Sequence, residues 1–262
     1  MLRNWKSLSC WGFTMAVFMA TVQPLYAQHS EFTVTTMGQF DVPWAMEFLP
    51  DDRLLISEGE GALKILSFDG RGGDASVGDI SGVPEVDFGG QGGLGDIVLH
   101  PDFENNNLIY ISYAESGDGD TRGAAVARAT LNLAGDGGEL TDLEVIWRQV
   151  PKVTGQGHFG HRIVFGPNGY FWISSGERQK FDPAQDMEAN LGKVLRLNVD
   201  GTIPNDNPFY ERGGVTAEIW SLGHRNPLGL AFDQSGQLWD VEMGPMGGDE
   251  LNLVQRGANY GY

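Results

Sequence analysis

His161 to Glu177 reads HRIVFGPNGYFWISSGE, an apolar run, a Pro-Asn-Gly turn and a second apolar run. Proline presets φ for a turn, and Asn-Gly tolerates the left-handed backbone that reverses a chain. Flanked by β-branched and aromatic residues, such a turn predicts a hairpin. The pattern occurs three more times. Pro43 to Gly70 turns on PDD, Gly93 to Glu115 on PDFENNN, and Pro227 to Gly244 on DQSG. Phe48, Leu99, Phe165 and Phe232 take matching places, and the second run of each copy ends near serine or glutamate. GKVLRLNVDG, from Gly192, adds a further strand-like run to the third copy.

One hairpin cannot bury its own face, so repeated strand units stack. The reading is all-β, a β-propeller of four-stranded blades, with a β-sandwich of coincident turns as the alternative. Helical periodicity is weak, and only Ala184 to Leu191 reads as a short helical turn. A propeller removes exposed edges by joining its terminal strands. Here a fourth copy runs into NYGY and the sequence stops, so either four blades close or this is the front of a longer protein. The abrupt end favours the second.

The 262 residues carry 35 acidic and 17 basic side chains, a net charge of -18. Phosphate neutralisation needs a basic surface, so a nucleic-acid partner is not expected. The 38 glycines follow the turns without a collagen-like period. Residues 1–27 read as an export signal. Arg3 and Lys6 precede an apolar core from Cys10 to Val22, and Leu25-Tyr26-Ala27 offers a cleavage point. The core is short of the roughly 20 residues of a membrane span, and a retained anchor is the alternative. Cleavage removes two cations and no acids, leaving 15 basic against 35 acidic residues, a net of −20. It also removes Cys10, the single cysteine, which excludes disulfides, thiolate catalysis and cysteine-zinc sites from the mature chain. An acidic, exported, cysteine-free chain fits the bacterial periplasm or the exterior.

Chemistry concentrates in Gly223 to Tyr262. Arg225 and Asn226 stand just before a proline, which holds them extended or in a turn. Gly244, Pro245, Gly247 and Gly248 then crowd against Asp249 and Glu250. Carbonyl and carboxylate oxygens suit a hard cation such as calcium, and a cation beside Arg225-Asn226 suits a polyanionic ligand. His158, in a glycine-rich approach to a strand, is placed to accept a hydroxyl proton, although spacing alone favours a histidine that only bonds a turn. His100 in LHPDF reads as a turn residue, His161 as a partner of His158 or a bystander, and His29 as terminal. Gln91 precedes the second copy's strand as His158 precedes the third's, which aims both at one channel. No Gly-x-Ser-x-Gly elbow supports serine hydrolysis, and no dinucleotide fingerprint is present. The seven tryptophans read as blade packing.

Together VPWAMEFLPDDRLLISE, GQGGLGDIVLHPDF, GQGHFGHRIVFGPNGYFWISSGE, AQDMEANLGKVLRLNVDGTIPNDNPF, EIWSLGHRNPLGLAF and GPMGGDELNLVQRGANYGY resemble the soluble quinoprotein sugar dehydrogenases. This is the glucose/sorbosone dehydrogenase family, and the likeness is strongest to its periplasmic aldose sugar dehydrogenases. It runs from about Val42 to the end. It implies a six-bladed propeller, about four blades of it in this chain, holding pyrroloquinoline quinone (PQQ) with calcium over the channel. Such enzymes oxidise the anomeric hydroxyl of an aldose to a lactone and pass electrons to an external acceptor. The resemblance implies His158 as the base. It assigns Gln91, Arg225 and Asn226 to the cofactor, with Arg225 also stabilising charge on the quinone oxygen. Gly244, Pro245, Glu250 and Tyr260 would hold calcium, Tyr260 through its backbone oxygen. The family usually has glycine where His161 stands, so this imidazole is expected to crowd the pocket or tune His158. The cationic clamp and further calcium ligands of the family's later blades have no counterpart here. A calcium-dependent propeller lactonase and a non-catalytic binding propeller remain the alternatives.

Overall fold

The computed structural model describes residues 34–68 and 75–262. The export signal and His29 lie outside these residues. The chain clusters into Met1–Thr35 and Thr36–Tyr262, and every element below belongs to the second unit.

The hairpins form at the expected turns. The first blade is β1 (Pro43–Phe48), β2 (Leu54–Glu58), β3 (Ala62–Ser67) and β4 (Ser76–Ser81). The second is β5 (Leu94–Leu99), β6 (Leu108–Ser116), β7 (Arg122–Ala134) and β8 (Gly137–Arg148). The third is β9 (Gly160–Phe165), β10 (Phe171–Ser175), β11 (Lys193–Leu197) and β12 (Ile219–Leu222). The fourth has three strands, β13 (Pro227–Phe232), β14 (Leu238–Glu242) and β15 (Glu250–Leu253). Phe48, Leu99, Phe165 and Phe232 each end the first strand of a blade, so the repeat seen in sequence is a structural repeat. The PDFENNN turn contains one helical turn, α1 (Phe103–Asn106), and His100 caps that turn by accepting the Asp102 N–H through Nδ1 at 3.0 Å.

First strands β1, β5, β9 and β13 lie side by side in order, each against the next, which places them along the channel. Between neighbouring blades the sheet faces make dry layers. Leu55, Ile65, Leu94 and Ile111 fill the first, Tyr110, Val126, Ile173 and Leu195 the second, and Trp172, Val194 and Leu238 the third. Each such side chain contributes about 1.5–3 kcal/mol. This is the packing of a β-propeller rather than of a two-sheet sandwich. Among the described residues β1 and β15 do not pair. The first two blades are fused. β4 runs parallel to β8 through Ile80↔Gly138 and Ser81↔Glu139, making one eight-stranded sheet. Gly78 permits it, because an added Cβ would stand 1.6 Å from the Asp136 carbonyl oxygen.

The helical turn expected at Ala184 to Leu191 is not formed. The chain makes a single 3-10 turn over Asp182–Ala184 and then continues irregularly. The buried Lys193 ammonium donates to the carbonyls of Pro183 (2.7 Å), Ala184 (3.1 Å) and Leu191 (2.7 Å). It takes the acceptors a continuing helix would need. Asn190 ties the loop's far end, accepting the Val150 N–H at 2.6 Å. Burial pulls the Lys193 ammonium down to about 7, with Asp186 opposing. Between that value and the ordinary 10.5 the unfolded chain keeps a proton that the folded chain sheds, so stability from this group rises with pH across the window. Urea midpoints from pH 6.5 to 10 are expected to climb more steeply for the native chain than for Lys193→Met; equal slopes would contradict it.

Candidate functional site

Four loops meet where the channel strands begin. The loop before β5 carries Gln91, the loop before β9 carries His158, the turn after β10 carries Glu177, and the segment before β13 carries Arg225 and Asn226. Gln91 Oε1 accepts the His158 backbone N–H at 2.7 Å. His158 Nδ1–H donates to Glu177 Oε1. The backbone N–H of Glu177 donates to the Arg225 carbonyl at 2.9 Å, and that of Gly160 to Asn226 Oδ1 at 3.2 Å. The sequence-selected residues from three blades are therefore one hydrogen-bonded cluster. Gly176 lets them close up, since a Cβ there would lie 2.1 Å from the His158 carbonyl oxygen and 3.1 Å from Asn226 Oδ1.

The backbone here is held in unusual conformations. His158, His161, Arg178, Gln179 and Phe181 all have positive φ, between 48° and 63°. Left-handed backbone is disfavoured for side-chain-bearing residues and persists where surroundings enforce it, often at functional sites. Arg178 is the main enforcer. Its buried guanidinium donates from Nε to Gly157 O (2.9 Å), from Nη2 to Gly155 O (2.5 Å) and from Nη1 to Arg122 O (2.7 Å). It also lies over the Phe159 ring, 3.7 Å from its centroid. The Gly155–Phe159 segment that carries His158 is thus gripped from both sides.

Glu177 fixes the His158 ring. Burial works to raise its carboxyl pKa, but the bond from His158, with the backbone N–H groups of Phe181 and Lys180, prevails and holds it below its ordinary value. A carboxylate at Nδ1 makes that nitrogen the donor and leaves Nε2 with its lone pair. No described hydrogen bond engages Nε2. His161 takes no part in this pair. Its Nδ1 meets Ser112 Oγ at 2.9 Å and its ring stacks on Trp44 at 5.9 Å. Burial, with Arg162 and Arg178, pulls it down to about 3, so it is a neutral wall residue of the channel at physiological pH.

Arg225 joins this cluster to a second one. Gly244, Pro245, Glu250 and Tyr260 line a single cavity of about 160 Å³, together with Arg225 and Glu242. The Ala258–Tyr262 tail lies against the end of β12, with Tyr260 N–H donating to Leu222 O at 2.9 Å. Tyr260's hydroxyl donates to Leu253 O at 2.5 Å, which leaves its backbone oxygen as the available ligand atom. Carbonyl and carboxylate oxygens on one cavity are the donor set of a hard cation. Arg225 Nε and Asn226 Nδ2 are buried without a hydrogen-bond partner among the described residues. Buried donors are normally satisfied. Arg225, which lines the cavity, and its neighbour Asn226 thus carry two orphan donors that fit a ligand rich in oxygen acceptors.

The sequence reading missed Glu177, Arg178 and the Glu242 carboxylate. A signal for two of them existed in the repeat. Glu58, at the end of β2, accepts the Asp41 N–H at 2.7 Å. Glu242, at the end of β14, accepts the Arg225 N–H at 2.6 Å. Glu177, just past β10, holds His158 in the same relation. In three blades the acid closing the second strand bonds the segment leading into the first.

The glucose/sorbosone dehydrogenase family profile matches residues 40–262. Aldose sugar dehydrogenase YliI of Escherichia coli is 44% identical over 254 residues, covering 96% of this chain and 67% of the relative. Quinoprotein glucose dehydrogenase B of Acinetobacter calcoaceticus is 34% identical over 256 residues, covering 86% of this chain but 51% of its own length. The apo soluble aldose sugar dehydrogenase of Escherichia coli superposes with a TM-score of 0.78 at 45% identity, over 85% of this chain and 63% of that one. The PQQ-bound aldose sugar dehydrogenase of Streptomyces coelicolor gives 0.78 at 29% identity, over 88% and 65%. This chain thus spans between half and about two thirds of these relatives, and matches part of a six-bladed propeller. With the repeat, the blades and the four-loop cluster in agreement, the chain belongs to the glucose/sorbosone dehydrogenase family.

Proposed function

We propose that this chain carries the proton acceptor and part of the cofactor cradle of a PQQ- and calcium-dependent aldose dehydrogenase, exported to the periplasm or exterior, that makes lactones and reduces an external acceptor. One observation carries the reading: an imidazole oriented by a buried carboxylate shares a cluster with two buried, unpartnered N–H donors. When bound, PQQ with its calcium supplies the two-electron acceptor for the hydride of the sugar's anomeric carbon. Glu177 keeps the proton on Nδ1 of His158, so Nε2 takes the anomeric hydroxyl proton. Arg225 is fixed through its backbone by Glu242 and through Nη1 by the Met243 carbonyl. A cation held this way stabilises negative charge developing beside it. Asn226 Nδ2 and Arg225 Nε offer hydrogen bonds to the cofactor's oxygens. Gln91 spends Oε1 on the His158 backbone and has its amide NH₂ left for the same ligand. Gly244, Pro245, Glu250 and Tyr260 present oxygens to calcium. No helix of the described residues is long and apolar enough to cross a membrane.

The test is to add PQQ to the calcium-loaded apoprotein and follow quinone binding and sugar-dependent dye reduction. Calcium-dependent binding that Asn226→Ala weakens by about tenfold, the loss of one charge-assisted hydrogen bond, supports the reading. Lactone hydrolysis without quinone would assign the site to a hydrolase. Neither quinone binding nor turnover would leave a binding propeller.

A further inference from the structure

Behind Arg225 lies a buried group of three side chains, of which the proposed reaction uses only Glu242, as the anchor of the Arg225 backbone. His224 follows the turn at the end of β12, and β14 presents Asp240 and Glu242 two residues apart, on one face of the strand. All three are buried, and a ligand atom from each lies within 4.8 Å of the others. His224 Nδ1 stands 2.5 Å from Glu242 Oε1 and 3.2 Å from Asp240 Oδ2. The one Nδ1 hydrogen points to Glu242, so Asp240 keeps the charge contact with the imidazole at 3.2 Å but neither of its oxygens has a hydrogen-bond partner among the described residues. Asp240 is wholly buried. A buried carboxylate without hydrogen bonds is costly unless enough positive charge stands beside it. An imidazolium supplies one positive charge against two carboxylates.

We propose that His224, Asp240 and Glu242 form a binding site for a zinc-class divalent cation. A double charge neutralises both carboxylates and gives Asp240 the partner it lacks. The outer contacts are already in place. His224 Nε2 lies 2.8 Å from Ser221 Oγ, an N–H donor contact that turns Nδ1 inward as the ligand. Glu242 Oε2 is held by the Arg225 N–H at 2.6 Å, while Oε1, which meets His224 Nδ1 and accepts a long 3.4 Å contact from Asn252 Nδ2, faces the ion. Ligating histidines characteristically fix the other ring nitrogen in this way. Tyr260 covers the imidazole face at 4.6 Å. Glu242 also lines the cavity of Gly244, Pro245, Glu250 and Tyr260, which gives an ion a way in. The donor sets distinguish the two places. That cavity offers oxygen alone and suits calcium, whereas an imidazole nitrogen with two carboxylates suits zinc and is a poor calcium site. Binding must expel the proton shared by Nδ1 and Glu242, so one proton leaves for each ion taken up.

The test is titration of the full chain, stripped of metal and resaturated with calcium, with zinc in two buffers of different ionisation enthalpy. One zinc per chain with release of one proton is expected, and a rise in thermal midpoint with calcium still bound. Ser221→Ala, which changes no charge, is expected to weaken zinc binding by about 10–100-fold. Asp240→Asn should weaken it further, and if that variant does not fold the serine variant decides. No zinc uptake in the presence of calcium overturns the proposal. So does uptake that displaces calcium or is indifferent to Ser221→Ala.

Discussion

His158→Ala is expected to lower sugar-dependent dye reduction by about 10²–10⁴-fold, the range of a single positioned acid or base, while quinone binding persists. The separation matters because in the proposed function the imidazole serves the substrate, and Arg225, Asn226 and Gln91 the cofactor. Glu177→Gln keeps the packing but loses the carboxylate that orients the ring, and is expected to lower kcat more than it raises KM. The pair also has a pH signature. The Glu177 carboxyl lies below its ordinary 4.5 in the fold. Its stabilising contribution is therefore complete above the unfolded value and is lost as pH falls through the folded one. Urea midpoints between pH 6 and 3 should drop for the native chain and drop less for Glu177→Gln. Unchanged turnover in His158→Ala would remove this histidine from the chemistry whatever the variant's stability.

Arg178→Met should destabilise the chain by about 2–4 kcal/mol through orphaned carbonyls and the lost contact with Phe159. Gly157, whose carbonyl accepts Arg178 Nε, is itself buried. The left-handed conformation at His158 and Arg178 then loses its restraint. The expected result is a lowered urea midpoint together with faster proteolytic cleavage between Gly155 and His158. Arg178→Lys should recover only part, because an ammonium cannot span Gly155, Gly157 and Arg122 at once. A midpoint within about 0.5 kcal/mol of the native value, the usual effect of a surface substitution, would show that the loop is held by other means.

The blades were legible because their code is local. Strand alternation, a turn residue every hairpin and the recurrence of Phe48, Leu99, Phe165 and Phe232 can all be read over a few residues. The candidate residues were legible as well, although their roles entered through resemblance. Ala184 to Leu191 was misread because its helical pattern is local, while the Lys193 ammonium that claims its carbonyls arrives from β11.

The amino-acid order by itself determined which segments pair into hairpins and which side chains gather at the starts of the channel strands. Only the tertiary structure decided what each of those side chains touches. Gln91 and His158 are 67 residues apart, Gly160 and Asn226 66 apart, and His224, just past β12, meets Asp240 on β14. Such contacts depend on how whole sheets stack, and a blade's position relative to its neighbour leaves no periodic trace in the chain.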